Sequence, residues 1–111
     1  MLIPSRGDIW LGHLDAASDP ATPCSLVIIS EDRYNSSASD SLIVLQTSFN
    51  LDEIPTHVSS VFSEAPEKKS VVILCEKIFS IPKENLIECQ GKISRETLLE
   101  IEDRLRILLG L

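Results

Sequence analysis

After Ser94 the chain changes its hydrophobic period, and that change limits the folds open to it. Leu98, Ile101, Leu105 and Leu108, joined by Leu109, repeat at the three- and four-residue spacing of an amphipathic helix. Ser94 is placed to cap the start, Glu96 puts an acid in the first turn where the helix dipole favours it, and Gly110 stands just past the end. Glu100 with Arg104 and Glu102 with Arg106 are spaced to pair along the helix. Before Ser94 the apolar runs are short and read as strands. The pattern predicts about six strands and one closing helix, a mainly β fold in the form of a small barrel with a helical lid.

The strands follow from alternation and turn chemistry. Arg6-Gly7-Asp8 makes a turn into a first strand over Asp8 to Leu14, with Ile9, Leu11 and His13 on one face and Trp10, Gly12 and Leu14 on the other. Read as an adhesion tripeptide, Arg6-Gly7-Asp8 would need an exposed extracellular loop; a strand start fits better. Asp15 to Pro23 reads as a loop, from its Asp-Pro and Thr-Pro turn signals. Ser25 to Ser30 is a continuous β-branched run of the kind a buried strand shows, and Glu31 to Asn35 makes one turn of helix. The third strand, Ser41 to Thr47, sets Leu42, Val44 and Gln46 opposite Ile43, Leu45 and Thr47. Thr56 to Val61 is a weaker strand, Glu64 to Lys69 a charged turn, and Ser70 to Ile78 a strong strand. Ile81 to Glu84 reads as a single helical turn with Pro82 near its start, and Leu86 to Ile93 as the last strand.

One domain over residues 1–111 is expected, with a single modest core. The longest apolar stretches fall far short of the roughly 20 residues that cross a bilayer, and the first residues lack a secretory pattern, so a cytoplasmic protein without membrane contact is expected. Cys24, Cys75 and Cys89 are odd in number and form no Cys-x-x-Cys pair. Packing roles are expected for Cys75 and Cys89, against a redox or metal role. Neither His13 nor His57 stands at ligand spacing from a cysteine, so no metal and no cofactor are expected. The net charge is −7, unevenly spread. Residues 1 to 67 hold two basic residues, Arg6 and Arg33, against ten acidic ones, whereas residues 68 to 111 hold eight basic and seven acidic. A general nucleic-acid coat is disfavoured, and any polynucleotide site has to be local.

The order of these pieces resembles the MazF/PemK family, the toxins of type II toxin–antitoxin systems. Arg6 to Trp10 looks like that family's opening, and Leu26 to Asp32 like its second strand and turn. Leu42 to Ser48 matches a third strand ending in Thr-Ser, and Pro55-Thr56-His57-Val58 matches a segment of one branch of the family. Ser70 to Glu76 with Ile78, Gly91 to Ser94, and the Leu-rich final helix complete the match over nearly the whole chain. The resemblance implies an SH3-like barrel of the PemK/CcdB type, a homodimer, a cognate antitoxin as partner, and metal-independent cleavage of single-stranded RNA by its own 2′-hydroxyl. That chemistry needs a group to take a proton, a cation or donors to steady the phosphorane, and an acid for the leaving oxygen.

On that resemblance Thr47 would donate to the phosphate, Glu76 would serve as acid, base or orienting carboxylate, and Lys77 would supply charge. Ser48, Arg33 and His57 would contact RNA. Each has a plainer alternative: Thr47 as the close of a strand end, Lys77 as a solvated strand-end charge, His57 as a surface turn residue. Arg6 reads as an anchor of the first strand. The family's Arg, from an Arg-Pro pair opening the second strand, is replaced by Cys24, with Ser25 in place of the Pro. A one-residue slide puts Thr22 and Pro23 there instead, and residues 7 to 32 contain no Arg or Lys in any register. The loop before the second strand is shorter than the family's and lacks its Gly-x-Glu pattern, and the family's Gln and Arg after the acidic residue are replaced by Lys77 and Phe79. These losses open a second reading, a relative that cuts nothing and acts by protein contact, as a gyrase poison or an antitoxin decoy. An SH3-like adaptor for Pro-rich peptides is disfavoured, since one Trp, one Tyr and three Phe do not furnish the aromatic groove it uses.

Overall fold

The strand-then-helix order appears in the computed structural model, which describes residues 3–14, 23–48, 57–61 and 70–111. Strands β1 (Asp8–Gly12) and β2 (Cys24–Ile28) precede a short helix α1 (Asp32–Asn35). Next come β3 (Ser41–Ser48), β4 (His57–Val61), β5 (Ser70–Pro82), a single 3-10 turn (Lys83–Asn85), β6 (Leu86–Lys92) and the long helix α2 (Arg95–Leu109). The loop expected over 15–22, the charged turn over 64–69 and the Pro55-Thr56 pair lie outside the described residues.

All six strands join one antiparallel sheet in the order β4-β5-β3-β2-β1-β6. The edge strands β4 and β6 share no ladder among the described residues, so the sheet does not close on itself there. Alternation sends neighbouring residues to two apolar clusters. Ile9, Val27, Leu45, Val58, Ile73 and Cys75 pack with Ile101 of α2, and Trp10, Leu26, Ile28, Leu42, Val44 and Ile81 pack on the other side. β2 is apolar at successive positions because both of its faces are covered.

β5 runs on through Pro82, where the sequence suggested a helical turn from Ile81. Val44, Ile43, Leu42 and Ser41 of β3 supply partners for Phe79 through Pro82, and the turn starts only at Lys83, whose N–H donates to the Asp40 carbonyl at 2.7 Å. A long partner strand outweighed the local turn signal.

The opening turn is buried. Gly7 takes φ +91°, a region closed to most side chains, and its N–H donates to the Ile28 carbonyl at 2.8 Å. Asp8 is 5% exposed and accepts from the Ser5 N–H, which removes the adhesion reading of Arg6-Gly7-Asp8. Arg6 anchors the strand start to α2, its guanidinium lying 2.9 Å from Glu102 Oε1. Glu102 thus turns across the fold to Arg6, although its spacing suited Arg106.

In α2 the Thr97 N–H donates to the Ser94 hydroxyl, and Gly110 closes the helix at φ +70°. The stripe is buried at Ile101, half-buried at Leu98 and Leu105, and exposed at Leu108 and Leu109. Among the described residues no helix is long and apolar enough to cross a membrane.

Candidate active site

β3 ends on the two hydroxyls that the sequence singles out, Thr47 and Ser48. Leu26 faces Gln46 across the β2–β3 ladder, and one further step sets Ser25 against Thr47. Thr47 is buried, and its Oγ1 donates to the Ser25 carbonyl at 2.7 Å. Its hydrogen is therefore committed, and the oxygen as it stands is an acceptor; donation to a phosphate requires that bond to open. The Ser25 hydroxyl donates in turn to Gln90 Oε1 at 2.7 Å, linking β2 to β6 across β1. Thr47, Ser25 and Gln90 form one polar chain. Sequence reasoning missed Gln90, because a partner 65 residues away leaves no local signal.

Beside this chain the β3–β5 ladder breaks. Leu45 faces Ile78 while the next residue, Gln46, faces Leu74, so Cys75, Glu76 and Lys77 bulge out of register. Such bulges bend a strand and re-aim its side chains. Here Cys75 is buried, while Glu76 and Lys77 are exposed beyond the Gln46–Leu74 rung, the neighbour of the rung on which Thr47 faces Ile73. On the other side of β5, His57 of β4 faces Leu74, which brings its backbone to the same end of the sheet. The His57 side chain lies outside the described residues. Arg33 sits elsewhere: α1 follows Ser30, whose hydroxyl accepts from the Ile43 N–H, so α1 adjoins a point four residues, about 13 Å, from Thr47 along β3.

The charges near the bulge include one that sequence spacing had assigned to a helix surface. The Cys75 thiol is pushed up to about 11 by burial, with Glu76 adding to the rise and Arg104 opposing it. Arg104 of α2 acts on Cys75 in this way while its guanidinium lies 2.9 Å from Asp103 Oδ2. Cys24 lends none: it opens β2, is half-buried, and burial raises its pKa, which keeps it a neutral thiol near neutral pH.

The two inner environments predict different thiol chemistry. In native protein at pH 8, iodoacetamide is expected to label exposed Cys89 and spare Cys75, which is 0% exposed and protonated. Peptide mapping by mass spectrometry reads the result, and rapid labelling of Cys75 would contradict its packing role. Among the described residues no group of three or more His, Cys, Asp or Glu gathers as a metal site.

Comparison with known proteins gives this arrangement a family. A family model described as the PemK-like, MazF-like toxin of type II toxin-antitoxin systems matches residues 5–109. The chain is similar to an endoribonuclease MazF of Staphylococcus epidermidis, 31% identical over 109 residues that span 96% of this chain and 91% of the relative. Its fold is similar to that of MazF from Deinococcus radiodurans, with a TM-score of 0.78 at 18% identity over 100% of both chains. A mycobacterial endoribonuclease solved in complex with its cognate antitoxin also has a TM-score of 0.78, at 20% identity, covering 97% of this chain and 96% of that one. At such identities the solved structures speak for the fold alone. Sequence match and fold agree over almost the full length, and the chain belongs to the PemK-like, MazF-like toxin family of type II toxin-antitoxin systems.

Proposed function

We propose that this toxin acts in the cytoplasm as a homodimer, cuts single-stranded RNA without a metal, and is held in check by a cognate antitoxin. The observation that supports the reading is the break in the β3–β5 ladder, which passes from Gln46–Leu74 to Leu45–Ile78 and leaves Glu76 and Lys77 out of register beyond the rung that adjoins Thr47. In the reaction the ribose 2′-oxygen forms a bond to the adjacent phosphorus and the bond from phosphorus to the 5′-oxygen breaks. The leaving 5′-oxygen takes up a proton from water, so the products are a cyclic phosphate and a free 5′-hydroxyl.

Glu76 takes the 2′ proton or orients the group that does, and Lys77 offsets charge on the phosphorane. Thr47 serves in one of two states. Bonded to Ser25 it is an acceptor for the ribose; released, it is a donor to the phosphate. Ser48 and His57 extend the RNA contact around this end. Arg33, set apart along β3, would meet RNA farther along the strand.

Thr47→Ala is expected to slow cleavage by about a hundredfold or more, the scale of losing one hydroxyl or amide that contacts a phosphorane or oxyanion. The assay incubates purified protein with a long single-stranded RNA in chelator and follows fragments ending in cyclic phosphate. RNA left intact at high enzyme excess would sink the nuclease reading in favour of action by protein contact, which the lack of any Arg or Lys over residues 7–32 favours.

A further inference from the structure

β6 ends the sheet, and its one ladder partner among the described residues is β1, with register shifts that leave Gln90 and Ile87 without a rung. The outer edge of such a strand carries backbone N–H and C=O groups that a further strand can pair with. Alongside it lies a groove of about 580 Å³, lined by Leu86, Ile87 and Cys89 of β6, by Trp10 of β1, and by Ile3 and Pro4 of the N-terminal segment. Glu88 also lines it, so four consecutive residues of β6 border the groove and it runs along the strand. Ile87 is 51% exposed at this edge and adds apolar surface to the rim of the groove.

The charges select the occupant. Lys83, Glu84 and Glu88 are the charged residues of the lining, and the Lys83 ammonium is held by the Ser37 carbonyl at 3.3 Å. Lys83 keeps its charge but is turned toward Ser37, and Glu84 and Glu88 are exposed, so the lining carries one net negative charge. A phosphate backbone is repelled there. A second copy of this chain pairing its own β6 about a two-fold at Leu86 would set Glu84 against Glu88 of the other copy. We propose that the β6 edge and its groove take an extended segment of another protein, paired as an added strand, with apolar side chains at alternate positions and Lys or Arg opposite Glu84 and Glu88. This surface is separate from the Thr47 end of the sheet, and neither family membership nor RNA cleavage assigns it a role.

Trp10 is the only tryptophan in the chain and lines the groove, so its fluorescence reports occupancy. The probe is a capped nine-residue peptide of alternating valine and lysine. Its comparators are the same peptide with glutamate for lysine, and the lysine peptide N-methylated on alternate amides along its pairing edge. Saturable change of Trp10 emission is expected with the lysine peptide, at an affinity about tenfold or more above that of the glutamate peptide. Glu84→Lys together with Glu88→Lys should reverse that order. Glu96→Lys with Glu100→Lys, the same change in total charge on exposed α2 positions, should leave it standing. N-methylation should abolish binding, since an added strand needs those amides. Equal affinity for the two charged peptides, equal sensitivity to the α2 charge reversal, or undiminished binding of the N-methylated peptide would each overturn the proposal. So would a Trp10 response to a uridine oligonucleotide in place of the peptide. The Trp10 titration uses no RNA cleavage, so its failure and that of the nuclease reading are read separately.

Discussion

Replacing Cys24 with arginine is expected to raise the rate of RNA cleavage by about a hundredfold, the scale of one preorganised donor to a developing anion. Cys24 is the first residue of β2, paired with Gly12 on β1, and its neighbour Ser25 gives the carbonyl that holds Thr47. A neutral, half-buried thiol at that point offers a phosphorane neither charge nor a strong donor. A guanidinium supplies both in a two-pronged form, and the partial exposure of the site leaves room for its length. Single-turnover cleavage of a labelled single-stranded RNA measures the effect. Cys24→Lys should gain less, for want of the second prong, and Cys24→Ser should gain nothing. If Cys24→Arg cuts no faster than Cys24→Ser, the missing cation is not what limits the reaction.

Ile101→Ala is expected to lower folding stability by about 2–5 kcal/mol, the range for truncating a fully buried aliphatic side chain. Ile101 is 0% exposed and is the α2 residue that enters the cluster with Ile9, Leu45 and Ile73, so its loss opens a cavity between helix and sheet. On the same helix Ile107 is 69% exposed, and Ile107→Ala should fall within about 0.5 kcal/mol of the parent. Urea unfolding followed by circular dichroism gives both numbers. Equal shifts for the two variants would mean that α2 is not seated on the sheet as described.

Much of the scaffold was legible because it rests on local signals. The Ser94 cap, the Gly110 stop and the 3.6-residue stripe gave α2 nearly to the residue, and the unbroken apolar run of β2 announced a strand covered on both faces. The third strand's two faces also came out as alternation required, with Leu42 and Val44 in one cluster and Leu45 in the other. Where a local signal met a long-range partner, the partner won. β5 continued to Pro82 because β3 offered four more residues to pair with, and Glu102 left its helical neighbour for Arg6, a residue 96 positions away.

The candidate site divides in the same way. Thr47 at a strand end could be named from the chain alone, as could the absence of any cation near the start of β2. The polar chain through Ser25 to Gln90 could not, nor could the approach of Arg104 to the β5 bulge, since each joins elements far apart in sequence.

By itself, then, the sequence determined which elements form and their order, because hydrophobic period, caps and turn residues act over a few positions, and its motifs carried the resemblance to the family. Only the tertiary structure decided the β5 bulge that puts Glu76 and Lys77 out of register with β3, and the edge at β6 with its groove lined by Trp10. Both depend on strand register, and register is settled by how two distant segments bury their side chains against each other.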